Sequence, residues 1–336
     1  MNSHIKHFIT FCKAQVAQSV EQRTENPRVG GSIPPLGTII MSEKKILISS
    51  SDDKYFILLL ELINSFFFHN LDKNFEFGVI DTGLTNDQIF TLKNKNIIVK
   101  QGKWDVSFPQ YKIRGREYLK NIIARAYLPD YFQGFDKYIW LDADTWINDK
   151  STFLLLDEGC NNDKICIIPQ VDRAYGKFAK VEWVFNFPKK IKTINFKNIK
   201  RSISSNLAKK YAMYPTLNGG VFSIGSNAKI WKSFQKNVEL ASRKGRIFGT
   251  DQVALIMMIH EDKISAEFLP AYVNWLCEFN LPFYDKVNDK FVEPYLPHHP
   301  VGLMHLAGLD YLRTNKEILY KIKTLDGKSI EKSLRF

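Results

Sequence analysis

Beyond Met41, short apolar runs and amphipathic stretches follow one another in a regular order. Lys45-Ile-Leu-Ile-Ser49 has strand character, and Ser50-Ser-Asp-Asp53 after it supplies a turn and a helix cap. The apolar stretch from Tyr55 to Phe68, broken by Glu61 and Asn64, reads as a buried helix. Phe75 to Ile80 alternates as a second strand, with Asp81 to Thr85 as its turn. A polar helix over 86–95 and a third strand over Asn96 to Lys100 follow. A helix from about Arg116 to Leu128, ended by Pro129, leads to a central strand, Lys137-Tyr-Ile-Trp-Leu141. Downstream, Asn218-Gly-Gly220 enters the apolar strand Val221 to Ile224, and Gly249-Thr250 opens a helix at Asp251-Gln252, with Thr250 as the expected cap. Strands alternating with helices predict an α/β domain built on a mainly parallel, doubly wound sheet.

Composition changes this picture little. A chain of 336 residues with 45% hydrophobic content can bury one large core or two ordinary ones. No run approaches the roughly 18 apolar residues that span a bilayer. Cys12, Cys160, Cys166 and Cys277 have neither zinc-site nor disulfide-framework spacing, which fits a reducing compartment. The first strand lacks Gly-x-Gly-x-x-Gly and no Gly-x-x-x-x-Gly-Lys occurs, which argues against a dinucleotide enzyme or P-loop ATPase. Residues 1–40 stand apart. Val16-Ala-Gln-Ser-Val-Glu-Gln22 and Gly30-Gly-Ser-Ile-Pro34 can be spelled by the D-arm and T-arm consensus of a transfer-RNA gene, in that order. The expectation is a translated upstream gene with the true start at Met41; no signal-peptide pattern is present.

Charge is unevenly placed. Of a net +12, the segment from Arg173 to Lys210 holds eleven Lys or Arg against the single acid Glu182. It also carries Phe178, Trp183, Phe185 and Phe187. This basic insertion (173–213) is expected to recognise an anionic acceptor, such as a phosphorylated glycolipid, or to rest on an anionic membrane; a solvated loop is the plain alternative. Mixed basic and aromatic residues also fit a nucleic-acid binder.

The strongest chemical signal is Asp142-Ala-Asp144 at the end of the central strand. Ligands of α/β sheets collect beyond the carboxyl ends of strands. Two carboxylates converging there repel unless a cation sits between them, and oxygen ligands suit Mg²⁺ or Mn²⁺. Alone, an Asp-x-Asp is more often an acidic turn. A nucleotidyltransferase could also use such a pair.

Further motifs share the order of a known family. Ser50-Ser-Asp-Asp-Lys-Tyr55, Arg125, Asp142-Ala-Asp144, Asn218-Gly-Gly-Val-Phe222, Asp251-Gln252, and His305 with Gly308 together resemble glycosyltransferase family 8 over roughly residues 44–312. The resemblance implies a GT-A fold with a smaller C-terminal acceptor-side part. It implies a retaining hexosyltransferase that uses Mn²⁺ (or Mg²⁺) and a UDP-sugar, acting on a glycan or glycolipid such as lipopolysaccharide. By resemblance, Asp142, Asp144 and His305 hold the metal, and Ser50, Asp52 and Tyr55 form the uridine pocket. Asp251 binds the donor sugar with Asn218, Gly219 and Gly220, and Arg125 turns inward to donate to that sugar or to pair with Asp142. Gln252 lies by the reacting carbon, and Gly308 lets the diphosphate approach the backbone. Family members usually carry lysine where Tyr311 stands, so Arg313 is expected to replace that charge. Residues 313–336 read as a basic C-terminal tail, and the whole as a cytoplasmic protein at the inner face of a membrane.

Several of these residues also have plain structural readings. Asp52 could be only a helix cap, Arg125 could snorkel to solvent, and His305 could be an ordinary core histidine.

Overall fold

The computed structural model describes residues 43–175 and 179–336. Strand β1 (Lys45–Ser51) runs to Ser51, where Asp52 accepts a hydrogen bond from the Tyr55 amide and turns the chain into helix α1 (Phe56–Phe68). Strand β2 (Glu76–Asp81) follows, then helix α2 (Asn86–Asn94), which a reciprocal Thr85–Gln88 capping box starts. Strand β3 (Ile98–Gln101) completes the first parallel group.

The helix expected over 116–128 is two helices, α3 (Lys120–Ala124) and α4 (Leu128–Tyr131), preceded by a single 3₁₀ turn at Glu117–Leu119. Pro129 does not end a helix. It occupies the first turn of α4, where its missing N–H has no partner to lose. The chain then enters β4 (Lys137–Leu141) and, after a turn carrying Asp142 to Asp144, β5 (Thr145–Ile147).

Helix α5 (Thr152–Gly159) and strand β6 (Ile165–Pro169) come next. The basic segment contains an antiparallel hairpin, β7 (Ala179–Val184) and β8 (Phe187–Thr193), and two short helices, α6 (Ile194–Ser202) and α7 (Ser205–Lys210). The expected extension over 1–40 and the aromatic Phe178 lie outside the described residues.

Strand β9 (Leu217–Gly225) is longer than its apolar core suggests, because Asn218, Gly219 and Gly220 belong to it instead of to an entry loop. It leads to α8 (Ala228–Lys244) and α9 (Thr250–His260). Gly249, in the left-handed region at φ 86°, is the N-cap of α9. Thr250 lies one place inside, with its hydroxyl donating to the Ile247 carbonyl, so the expected threonine cap does not form. Strands β10 (Ala266–Phe268), β11 (Asn274–Leu276), β12 (Phe283–Asp285), β13 (Lys290–Val292) and β14 (Leu303–His305) follow. The described chain closes with α10 (Asp310–Thr314) and the hairpin β15 (Tyr320–Lys323) and β16 (Ser329–Lys332).

Seven strands form the central sheet in the order β10-β6-β9-β4-β1-β2-β3. It is mainly parallel, and β9 is antiparallel to both β4 and β6. Alternation along the strands buries both faces. Ile46, Ile48, Tyr138 and Trp140 join one apolar cluster, and Leu47, Ile139 and Leu141 join the other. Each such side chain contributes about 1.5–3 kcal/mol relative to exposure. A three-stranded sheet, β11-β14-β5, joins the far end of β4 to the C-terminal third, where Trp146, Trp275, Met304 and Leu334 share a third cluster.

Candidate functional site

The end of β4 is held between two backbone hydrogen bonds. The Asp142 amide donates to the Gly220 carbonyl at 2.8 Å, and the Leu306 amide donates to the Asp144 carbonyl at 2.9 Å. The first bond belongs to the central sheet and the second to the small one. A turn between them, not an extended segment, sets the two carboxylates. Strand β14 pairs His305 with Thr145, one residue past the turn. Ligand atoms of Asp142, Asp144 and His305 consequently lie within 4.8 Å of one another. His305 Nε2 is 3.4 Å from Asp144 Oδ1.

Several features make this trio fit a divalent cation. Two carboxylates and an imidazole are a ligand set that Mn²⁺ accepts. His305 Nδ1 lies 3.0 Å from Asn274 Oδ1, which can only accept, so the proton sits on Nδ1 and leaves the Nε2 lone pair toward the acids. Gly220 lies against the same space. A Cβ there would stand 2.7 Å from Asp142 Oδ2 and 2.7 Å from His305 Cε1. The glycine is required for close approach, although nothing about its φ demands it.

Cations already balance part of the charge. Arg313 bridges Asp144 and Asp310, bonding the latter at 2.8 Å. Burial alone would raise the Asp144 carboxyl, but the His305 ring, when it carries a second proton on Nε2, and Arg313 hold it well below the usual carboxylate range. Arg125 is buried, not snorkelling. One of its amino groups pairs with Asp142 at 2.5 Å, and the other pairs with Asp251 and donates to the Gly219 carbonyl at 3.0 Å. Desolvation opposes its charge, yet Asp142 and Asp251 raise its pKa. Burial pushes the Asp251 carboxyl up, and Arg125 offsets only part of this. Gly219 is needed here too, since a Cβ would meet Asp251 Oδ2 at 2.4 Å.

A cleft of about 470 Å³ opens from this centre to the end of β1. Ser50, Asp52, Tyr55, Arg125, Asp142, Asp144 and Arg313 all line it. Asp52 combines two of the roles weighed above: one oxygen caps the Tyr55 amide at 3.0 Å, and the residue still faces the cleft. The Arg313 guanidinium stands 5.8 Å from the centre of the Tyr55 ring.

Other expected residues sit differently. Asn218 accepts from the Gly220 amide at 2.7 Å, so its side chain serves the glycine turn. Gln252 is half-buried beside Asp251 in the first turn of α9 and does not line the cleft. Gly308 adopts φ 76°, and a Cβ there would collide with the exposed Glu278 carboxylate, which accounts for glycine without any ligand.

Four contributors escaped the sequence reading. Trp140 donates its indole N–H to Asp142 Oδ1 at 2.8 Å and lies 5.0 Å from the Arg125 guanidinium. The i−2 spacing from Asp142 is the signal that could have found it. Asn274 is buried on β11, and no motif marks it. Tyr118 and Phe248 line the cleft mouth, Phe248 being 69% exposed.

Comparison with known proteins gives a consistent result. Residues 46–211 match the family model described as glycosyl transferase family 8. No curated protein matches the chain. Among solved structures, the chain is similar to the WbbM bifunctional glycosyltransferase in its apo form, at 17% identity and a TM-score of 0.44. That match covers 70% of this chain and 40% of WbbM, so the chain spans well under two thirds of WbbM's length. It is also similar to the galactosyltransferase LgtC in complex with donor and acceptor sugar analogs, at 15% identity, 78% and 87% coverage, and a TM-score of 0.45. Core-mannan synthase A from Aspergillus fumigatus, in a Mn/GDP form, matches at 8% identity over 69% of this chain and 77% of its own, with a TM-score of 0.40.

Proposed function

The chain belongs to glycosyltransferase family 8, and we propose that it moves a hexose from a UDP-sugar to a glycan or glycolipid hydroxyl with retained configuration. The observation that carries this reading is the convergence of Asp142 and Asp144, with buried His305 behind them, at one end of a cleft whose lining also includes Asp52 and Tyr55. A pyrimidine and a diphosphate need such a span, with acids at the diphosphate end only if a cation accompanies them.

Asp142, Asp144 and His305 would hold Mn²⁺ or Mg²⁺, which when bound supplies Lewis-acid neutralisation of a leaving diphosphate. The remaining work belongs to the chain's own side chains. Tyr55 offers a ring face to the base, and Asp52 has a second oxygen free of the helix cap to accept its imide N–H. Arg125 fixes the Asp142 and Asp251 carboxylates so that Asp251 and Asn218 can meet sugar hydroxyls. Arg313, its side chain 17% exposed between Tyr55 and Asp144, is placed to donate to diphosphate oxygens in the role of the family's usual lysine. Gln252 is our candidate for the group nearest the anomeric carbon, which requires it to turn toward the cleft.

Among the described residues, no helix is long and apolar enough to cross a membrane. Contact with an anionic membrane surface through the basic segment is part of the same proposal, as is action from the cytoplasmic side on a lipopolysaccharide-type glycan.

The test is thermal denaturation with UDP and Mn²⁺, together with hydrolysis of UDP-glucose and UDP-galactose in the absence of acceptor. Wild type should be stabilised by UDP only when Mn²⁺ is present, and Asp144→Asn should lose both that stabilisation and turnover. Full activity of Asp144→Asn would overturn the reading.

A further inference from the structure

Beside the donor cleft lies a second cavity, of about 360 Å³, whose wall is almost wholly cationic. Lys112, Arg114, Arg116, Arg201, Lys244 and Arg246 line it, and no carboxylate does. Two of the six build the wall. Lys112 donates to the carbonyls of Ser242 and Arg243 at 2.7 and 2.6 Å, closing the C-terminal end of α8. Arg116 donates to the carbonyls of Ile113 and Lys112 at 3.2 and 3.1 Å, folding its own loop. Arg114, Arg201, Lys244 and Arg246 are exposed and have no hydrogen-bond or ion-pair partner among the described residues.

The acids closest in sequence are engaged elsewhere. Glu117 pairs with Lys120 at 3.0 Å, and Glu239 pairs with Arg243 at 2.5 Å. Arg114 is held at φ 52°, a conformation that side chains rarely adopt, next to Gly115 at φ 69°. Gly245 forms part of the lining because a Cβ there would strike Ser202 Oγ at 2.2 Å. Like charges gathered in a concavity repel one another until an anion enters.

Two segments of the chain contribute to both the cavity and the donor cleft. Arg116 lines one and Tyr118 the other. Arg246 lines one and Phe248 the other. From Arg246 to Asp251 the chain can span at most about 18 Å. Tyr118 and Phe248, both exposed, line the donor cleft on these same two segments and offer rings as a ledge of the kind on which a sugar face lies.

From this juxtaposition we infer that the basic cavity binds a phosphate or diphosphate group carried by the acceptor, while the acceptor sugar crosses the Tyr118–Phe248 ledge toward the donor. The inference rests on the transfer reading above for the word acceptor, though not for the anion site. A concave site of this size takes one or two phosphate groups; an extended polyanion would require a longer basic track.

The experiment titrates the full chain with inorganic pyrophosphate in EDTA, which silences any cation site at Asp142 and Asp144. Calorimetry should show one-to-one binding to wild type, weakened at least tenfold in R114Q/R201Q/K244Q/R246Q. That variant should still be stabilised by UDP with Mn²⁺, which reports its fold. Equal binding by both proteins, or none by wild type, overturns the site. Glucose 1-phosphate, phosphatidic acid vesicles and phosphatidylcholine vesicles are then offered as competitors. Displacement by glucose 1-phosphate identifies a free sugar phosphate, and displacement by phosphatidic acid alone identifies a lipid-borne one. Displacement by phosphatidylcholine, or by none of the three, overturns the phosphate assignment. If UDP with Mn²⁺ stabilises neither protein, the donor reading fails while the pyrophosphate result still stands or falls by itself.

Discussion

Asn274 sits behind His305, its amide oxygen 3.0 Å from the ring nitrogen that faces away from the acids. The pair comes from neighbouring strands, β11 and β14, and both residues are buried. Asn274 thereby decides which imidazole nitrogen can act as a ligand. Replacing it with leucine, of similar volume, should weaken Mn²⁺ binding about 10–100-fold while leaving the fold intact. Electron paramagnetic resonance of free Mn²⁺ measures this directly. Unaltered affinity in Asn274→Leu would mean that the imidazole needs no such orientation.

Gly220 tests the same centre from the opposite side. Its hydrogen atoms occupy the only space between Asp142 and the His305 ring that a methyl group would need, at 2.7 Å from each. Gly220→Ala should lose cation-dependent UDP binding by at least tenfold with little change in melting temperature. A β-strand tolerates alanine, so the defect should be confined to the site. A variant that binds UDP normally would show that the neighbours give way.

A buried pair fastens the C-terminus to the first helix. Arg335 meets both Glu61 oxygens at 2.8 and 2.9 Å, and each residue is less than 10% exposed. Without Arg335 the buried carboxylate keeps only the half-exposed Lys316, 3.3 Å away, which compensates it in part, so the loss approaches about 3–5 kcal/mol. Arg335→Met should therefore lower the melting temperature by on the order of 10 °C. The double variant Glu61→Met/Arg335→Met should recover part of that loss. If it melts no higher than the single variant, the penalty lies in packing and not in the stranded carboxylate.

Asp157 on α5 provides the pH test. It accepts from Lys137 at 2.8 Å and from Lys45, joining the starts of β1 and β4. Burial would raise its carboxyl, but the two lysines hold it below the usual range. A depressed folded pKa contributes stability that is present above the unfolded value, roughly 4, and is lost as pH falls through the folded one. Asp157→Asn should lower the melting temperature at pH 7 and flatten its decline below about pH 4. Parallel acid limbs in the two proteins would remove this residue from the linkage.

Most of the scaffold was legible because it rests on local pattern. Alternation gave β2, a continuous run of strand character gave β4, and the cap at Asp52 marked the start of α1. Pro129 was misread because its effect depends on whether the chain is ending or beginning a turn, and both use the same dihedral angle. The glycines at 219 and 220 read as the beginning of a strand and lie within β9, where Asp251, Asp142 and His305 approach them closely. Side chains that meet only through tertiary pairing were the hardest to see. Asn274 has no spacing relation to Asp142 or Asp144, and the cationic cavity draws on three separate segments, of which only Arg201 belongs to the basic run that the sequence drew attention to. Charge counting along the chain finds the basic run but cannot show that Arg201 meets Lys112 to Arg116 and Lys244 to Arg246 in the folded chain.

The small sheet has a consequence for how the protein comes into being. His305 reaches Asp144 only because β14 pairs with β5, which was synthesised far earlier. During translation the two aspartates emerge long before the imidazole does, and the first family motifs are already outside the ribosome when it appears. A nascent chain can thus assemble most of the central sheet before His305 exists, so the trio of Asp142, Asp144 and His305 is complete only once β14 has paired with β5.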